Sequence, residues 1–305
     1  MAQLFHTKEG HTTVGALITS VARRLSRGRV FFGHGTDNAR DEAAALVFHV
    51  MRFSHGAPAR VLARRVNAAQ RAAAEALLLR RVRERVPLAY LTHEAWFAGS
   101  PYYVDERVLI PRSPLAELIE RRFAPWIDAA RVRNVLDIGT GSGCIALACA
   151  QAFPRARVDA TDIDSAALAV AEINRRRRRL TRRVRLIESD HFAALSGASY
   201  DIIVSNPPYV GVREMRGLPR EYRHEPRHAL ASGREGLDSV AVILREAHRH
   251  LQPRGLLVVE VGNTERILAR AYSRLPFTWL DFERGGGGVF LLTREQLAKA
   301  QGYVG

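Results

Sequence analysis

"YDIIVSNPPYVG", residues 200–211, starts as an apolar run and then turns to an asparagine, two prolines and an aromatic. Two consecutive prolines donate nothing to a sheet ladder, so a strand through the apolar run must end there. Asn206, Pro207, Pro208 and Tyr209 then form a stiff tip on the end of a rigid strand.

The runs on either side place that strand. "NVLDIG" (134–139), "RVDATD" (157–162), "VRLIE" (184–188) and "GLLVVEVG" (255–262) are strand-like and alternate with helix-compatible segments or loops. Such alternation predicts a parallel sheet covered by helices on both faces. "FTWLDF" (277–282) and "GVFLLT" (288–293) are joined only by "ERGGG", too short for a crossover helix, so they must pair antiparallel. The expected fold is therefore α/β, with seven strands of which the last is antiparallel. The tip falls at the carboxyl end of the fourth strand, on the crevice where open α/β sheets bind ligands.

A glycine loop shares that crevice. "VLDIGTGSGCIALA" (135–148) sets Gly139, Thr140, Gly141 and Gly143 between a strand and a helix, where backbone N–H groups become approachable. A dinucleotide fingerprint would place its third small residue at 144, but Gly143 is followed by Cys144, giving the tighter GxGxG. Asp162, 21 residues after Gly141, ends the next strand, where an acid meets ribose hydroxyls or caps a helix. Asp164 is the better cap. Asp137, just before the glycines, either contacts a cofactor amino group or braces the loop.

Residues 1–92 read as a helical domain of three segments. Leu17, Ile18, Val21 and Leu25 repeat at helical spacing up to Gly28; Asp37 or Asn38 caps "ARDEAAALVFHVMRF"; Asn67 caps a third segment that stops at Pro87. Residues 93–114 read as a β-hairpin connector turning at Gly99-Ser100-Pro101, and 115–305 as the catalytic domain.

The chain of 305 residues has a formal net charge of +15 and a pI near 10.9, which implies polyanionic surroundings. Residues 1–115 carry 17 basic and 9 acidic side chains, about half of the excess. Lys8 and Lys299 are the only lysines. Cys144 and Cys149 lie in one expected helix, which excludes a disulfide framework, and no Cys/His pattern suggests zinc. The opening lacks a signal-peptide layout and no apolar run is long enough to span a bilayer, so a cytoplasmic protein is expected.

"LDIGTGSG", "ATDID" and "SNPPY", in this order, resemble the motifs of the seven-strand S-adenosylmethionine-dependent methyltransferases that modify exocyclic or amide NH2 groups. With the helical leader and "VDERVLIPRSPLAELI" (104–119), the whole chain resembles the HemK-type protein glutamine methyltransferases. "FGHGTDNARDEA" (32–43), "RVPLAYLTHEAWF" (85–97), "PRSPLAELI" (111–119), "LPREYRHEP" (218–226) and "GGGGVFLLTREQL" (285–297) resemble the members acting on large-subunit ribosomal protein L-three, not those acting on peptide chain release factors. The resemblance implies a class I, Rossmann-like sheet, S-adenosylmethionine as cofactor and no metal. It implies that Gly139 to Gly143 hold the methionine part, Asp162 the ribose, Asp190 the adenine amine with His191 or Phe192 beside the ring, and Asn206 to Tyr209 the substrate glutamine. "SDHF" (189–192) departs from the aromatic or leucine expected at 191.

The chemistry suits the tip. A carboxamide nitrogen has its lone pair delocalised into the carbonyl, so it is a poor nucleophile and needs positioning. The Asn206 side-chain oxygen and the Pro207 carbonyl can each accept one N–H, with Tyr209 packed on the planar group. A sulfonium supplies the leaving group, and proton loss can follow transfer.

Arg175 to Arg179, Arg182 and Arg183 lie at a helix end and in the next loop, either as a solvated basic cap or as a ribosomal RNA footprint. Residues 212–236 form a long polar loop in which Tyr222, Glu225 and Pro226 are substrate-loop candidates. The alternatives are a release-factor methyltransferase, a nucleic-acid methyltransferase holding a flipped adenine, and a non-catalytic RNA-binding assembly factor. No basic, aromatic-rich insert favours the second, and the intact glycine loop and Asn206 oppose the third.

Overall fold

A computed structural model describes residues 12–300 and 302. The chain divides into two compact units, Met1–His93 and Glu94–Gly305.

In the first unit the described α-helices are Val14–Arg27, Ala39–Met51, Ala68–Leu79 and Leu88–Thr92, with a short 3-10 turn at Ala59–Ala63 and a turn of wider radius at Arg80–Glu84. Thr13, Asn38 and Asn67 accept backbone N–H groups at the starts of the first three, which fixes where each begins. Val14, Leu17, Ile18, Val21 and Leu25 form the buried stripe of the first helix. Below this apolar packing lies an ion pair that periodicity does not announce. Arg81 Nε donates to Glu42 at 2.7 Å, with the two side chains 1% and 4% exposed, and an Arg81 terminal nitrogen donates to the Phe31 carbonyl at 2.7 Å.

The second unit opens with the hairpin β1 (Ala95–Phe97) and β2 (Ser100–Tyr102). Its turn is Ala98-Gly99, not Gly-Ser-Pro. Both turn residues have positive φ, +45° and +68°, which the proline ring forbids, so Pro101 moves into the strand opposite Trp96. The hairpin is also shorter than the sequence suggests: residues 103–114 contain no strand. Phe97 and Tyr102 join the core of this unit.

The main sheet comprises β3 (Asn134–Ile138), β4 (Arg157–Asp162), β5 (Val184–Glu188), β6 (Tyr200–Ser205), β7 (Leu251–Glu260), β8 (Thr278–Leu280) and β9 (Val289–Thr293). Their order is β5-β4-β3-β6-β7-β9-β8, parallel through β7, with β9 antiparallel to both β7 and β8. This is the seven-strand α/β sheet expected from the sequence. β7 begins earlier than Gly255 because Leu251 pairs with Tyr200, and the register then shifts so that Ile202 meets Leu256; Pro253 falls in that irregularity.

Strand residues alternate between two cores. Val135, Ile202, Val204, Leu256 and Val258 face the helices Leu115–Glu120 and Cys144–Ala152. Leu136, Ile138, Ile203, Leu257 and Val259 face Val240, Ile243 and Leu244 of the helix Asp238–His250. Both faces of the central strands β3, β6 and β7 are therefore covered, which is why these read as nearly continuous apolar runs, while β4 and the edge strand β5 keep polar residues. Cys144 and Cys149 are buried and unbridged. Among the described residues no helix is long and apolar enough to cross a membrane.

Candidate active site

The site is set by the register between β3 and β6, where the strand order reverses. Ile138 pairs with Ser205, and the Ser205 hydroxyl donates to the Ile138 carbonyl at 2.8 Å. Gly139 and Asn206 therefore leave the sheet side by side, at the position where open α/β sheets bind ligands.

The loop after β3 needs glycine for its backbone. Gly139 and Gly141 have φ of +69° and +54°, and a side chain at either would point into open space, so conformation and not crowding selects glycine. Asp137 is wholly buried beneath the loop. One of its oxygens accepts from the Thr140 hydroxyl at 2.6 Å and from the Ala146 N–H at 3.0 Å, tying the loop to the first turn of the next helix. Burial pushes its carboxyl up to about 7 against those two hydrogen bonds. Its other oxygen is buried and without a hydrogen-bond partner. Gly143 precedes the helix, 3.2 Å being all that would separate an added Cβ from the Ala171 Cβ.

A crevice of ≈ 600 Å³ opens above these strand ends. Of the residues singled out in the sequence, Gly139, Gly141, Asp162, Asp190, Asn206, Pro207 and Pro208 line it; Asp137, Thr140, Gly143 and Tyr209 do not. The Asp162 carboxylate accepts from the Gly141 N–H at 2.8 Å and the Asp164 N–H at 3.0 Å, so it holds the glycine loop while facing the crevice. Burial raises its pKa above the usual carboxylate value. Asp164 caps the following helix through the Ala166 N–H. His191 also lines the crevice, its ring nitrogens 2.6 Å from an Asp190 oxygen and 2.7 Å from the Ser239 hydroxyl. Phe192 is buried and stacked on His250 with ring centroids 4.7 Å apart, which leaves His191 as the ring on the crevice.

The tip is braced from below. The Asn206 side-chain oxygen is buried with no hydrogen-bond partner, although the residue lines the crevice. The Tyr209 ring lies against Gly262, where an added Cβ would come within 2.6 Å of it, and its hydroxyl donates to Glu260 at 3.1 Å. Glu260 also accepts from the Ser113 hydroxyl, and burial pushes its carboxyl up to about 7.

Beside this pair, Arg112 makes a two-pronged contact with buried Glu225, at 2.6 and 2.9 Å, with its guanidinium over the Tyr222 ring. Glu225 accepts from the Ile110 N–H as well, so it anchors the polar loop to residues 110–112. That loop returns to the tip through Val210 N–H to the Leu230 carbonyl, 2.8 Å, and Ser232 N–H to the Val210 carbonyl, 3.0 Å. His228, Ala229 and Ala231 bring it onto the crevice wall.

Sequence reasoning passed over several of these residues. Ile163 is 62% exposed on the crevice, directly after Asp162; an apolar residue at the polar end of a strand was the available signal. Val108 and Leu109 also line the crevice. Glu260, inside an otherwise apolar strand, was visible as an anomaly, but its partner Ser113 is 147 residues away and no spacing connects them.

Known proteins share these features. The methyltransferase small domain family model matches residues 121–233. A ribosomal protein uL3 glutamine methyltransferase of Neisseria meningitidis serogroup B is 46% identical, covering 94% of this chain and 94% of that protein. Its namesake in Neisseria gonorrhoeae is 45% identical, covering 94% of this chain and 96% of that protein. Among solved structures, a methyltransferase from Pyrococcus furiosus is 19% identical with a TM-score of 0.45, covering 63% of this chain and 88% of that one. With nearly half of its residues shared along almost its whole length, the chain belongs to the family of the ribosomal protein uL3 glutamine methyltransferases.

Proposed function

We propose that this protein methylates the side-chain amide nitrogen of a glutamine in ribosomal protein uL3, using S-adenosylmethionine. The observation that carries the reading is the unpartnered side-chain oxygen of Asn206, a residue that lines the crevice beside a glycine loop, in a chain 46% identical to proteins of that name.

The crevice residues fit such a cofactor. Asp162 keeps a lone pair on each oxygen for ribose hydroxyls after accepting from Gly141 and Asp164. Ile163 offers an apolar surface to the base, and Asp190 an exposed acceptor for its amine. Gly139 and Gly141 leave the backbone open to the methionine end. When bound, S-adenosylmethionine supplies a methyl group on a positively charged sulfur that departs as a neutral thioether.

The protein's own work is orientation. The Asn206 oxygen accepts one N–H of the glutamine carboxamide and the Pro207 carbonyl the other, which holds the nitrogen and turns its face to the methyl group. The prolines stiffen that rim, and Tyr209, held by Glu260, fixes its far end. His228 and Ala229 stand on the crevice wall only as lining, and no proton transfer is assigned to them. The amide nitrogen loses its extra proton after transfer, so no strong base is required.

The first unit selects uL3, as free protein or in an assembling subunit, in a cytoplasmic setting. Contact with ribosomal RNA through an arginine-rich surface belongs to the same proposal, supported by the net charge of +15. Labelled cofactor offered to uL3 and to release factors from a strain lacking this gene tests the reaction. Label on a uL3 glutamine is expected; label confined to a release factor would overturn the substrate assignment.

A further inference from the structure

A second cavity, of ≈ 580 Å³, lies at the opposite end of the strands from the crevice. Asn134, Arg157, Val184 and Tyr200, the first residues of β3, β4, β5 and β6, line it, so it sits at the amino ends of the parallel strands. Five arginines face it: Arg157, Arg175, Arg182, Arg183 and Arg185. Asp159 is the one acid in the lining, and it is already engaged by Arg185 at 2.9 and 2.7 Å and by the Tyr200 hydroxyl at 2.8 Å. Nearby acids are engaged too. Glu172 pairs with Arg175 and Arg176, and Asp201 accepts the N–H groups of Arg133 and Asn134.

The arginines divide by what they already do. Most of the run 175–179 is spent within the unit: Arg175 donates to the Val184 carbonyl, Arg177 lies over Tyr103, and Arg178 donates to the Pro101 carbonyl with its guanidinium over Tyr102. Arg183 caps a helix end through the Ala150 carbonyl. Among the described residues, the Arg157 and Arg182 side chains have neither hydrogen-bond nor ion-pair partners, and both are exposed. Exposed Arg155, just before β4, and exposed Arg179, in the segment before β5, lie close by in sequence, so the positive charge continues beyond what one small anion would need.

We propose that this cavity holds the phosphodiester backbone of RNA, with Arg157 and Arg182 as the phosphate contacts. The inference deepens the RNA contact of the functional reading and rests on it, while methyl transfer does not depend on it. Strands of five or six residues separate the cavity from the crevice, about 17–20 Å, so RNA can stay bound while a glutamine is methylated at the other end. Planar guanidinium forks suit phosphate oxygens, and Tyr200, the one aromatic in the lining, is buried with its hydroxyl on Asp159, so no exposed ring is offered to a base and the contact is independent of sequence.

The test is fluorescence anisotropy of the full chain with a labelled single-stranded RNA of about 20 nucleotides across a salt series. The double variant Arg157→Gln/Arg182→Gln is compared with Arg266→Gln/Arg270→Gln, which removes the same charge from a helix elsewhere on the unit. The cavity variant is expected to bind RNA roughly tenfold more weakly, with the slope of log K against log salt reduced by about 1.4, as for two lost single-strand phosphates. Its methylation of isolated uL3 should match wild type, which also shows that it is folded. Equal weakening by both variants, or none by the cavity variant, would overturn the site while leaving RNA contact elsewhere intact. No RNA binding by wild type would overturn the RNA contact itself. Displacement of RNA by millimolar phosphate at matched ionic strength, with phosphate raising the melting temperature of wild type only, would make this a small-anion site instead.

Discussion

The Tyr209 hydroxyl donates to a Glu260 carboxylate oxygen across 3.1 Å, fastening the last residue of the tip to the end of β7. Glu260 is 5% exposed and has its carboxyl pushed up to about 7 by burial. A carboxyl whose folded pKa exceeds its unfolded value stabilises the fold fully below the unfolded pKa, and that stability is lost as pH rises through the folded one. The window here runs from about 4.5 to about 7, and a shift of that size corresponds to roughly 3 kcal/mol. Glu260→Gln removes the titration. Denaturant melts at pH 5 and pH 8 should therefore show wild type gaining most over the variant at pH 5. An equal difference at both pH values would mean that Glu260 does not titrate in this window.

Asn206→Ala removes the acceptor that positions the carboxamide. Turnover should fall about 10²-fold or more, as when a positioned polar group is deleted from a reaction centre. Cofactor affinity by calorimetry should hardly change, because Asp162, Ile163 and Asp190 remain. Wild-type turnover in the variant would remove Asn206 from the mechanism.

Asp162 joins two roles, facing the crevice and holding the Gly141 N–H at 2.8 Å. Asp162→Ala loses both, whereas Asp162→Asn keeps one acceptor oxygen. Cofactor dissociation constants should rank wild type tightest, asparagine next and alanine weakest. An alanine variant that binds as tightly as wild type would refute the ribose assignment.

What the sequence disclosed follows physical range. The sheet was legible because the central parallel strands are short apolar runs, strand-like segments alternate with helical ones, and "ERGGG" permits only a hairpin. The glycine loop, Asp162 and the tip were legible because each stands at a strand end, where local residue chemistry names the turn. The supports were not. Ser113 meets Glu260, and Arg112 meets Glu225, across separations of 147 and 113 residues that only the folded chain closes. The arginine run is legible as charge but not as partners: most of residues 175–179 engage neighbouring carbonyls, aromatic rings and Glu172, contacts that only the folded unit brings together.

Inside the first unit, the Arg81–Glu42 pair offers a separate handle on substrate choice. Removing one member of a buried ion pair strands the other charge and typically costs about 3–5 kcal/mol, while replacing both with apolar residues of similar size is far milder. Glu42→Ala should therefore destabilise the first unit strongly, and Glu42→Leu/Arg81→Met should recover most of the loss despite the contact given up at the Phe31 carbonyl. If this unit selects uL3, Glu42→Ala should raise the KM for uL3 or abolish its methylation, leave the cofactor dissociation constant unchanged, and regain activity in the double variant. A Glu42→Ala enzyme that is measurably loosened in its first unit, by proteolysis at the working temperature, yet methylates uL3 at the wild-type KM would take substrate selection away from residues 1–93.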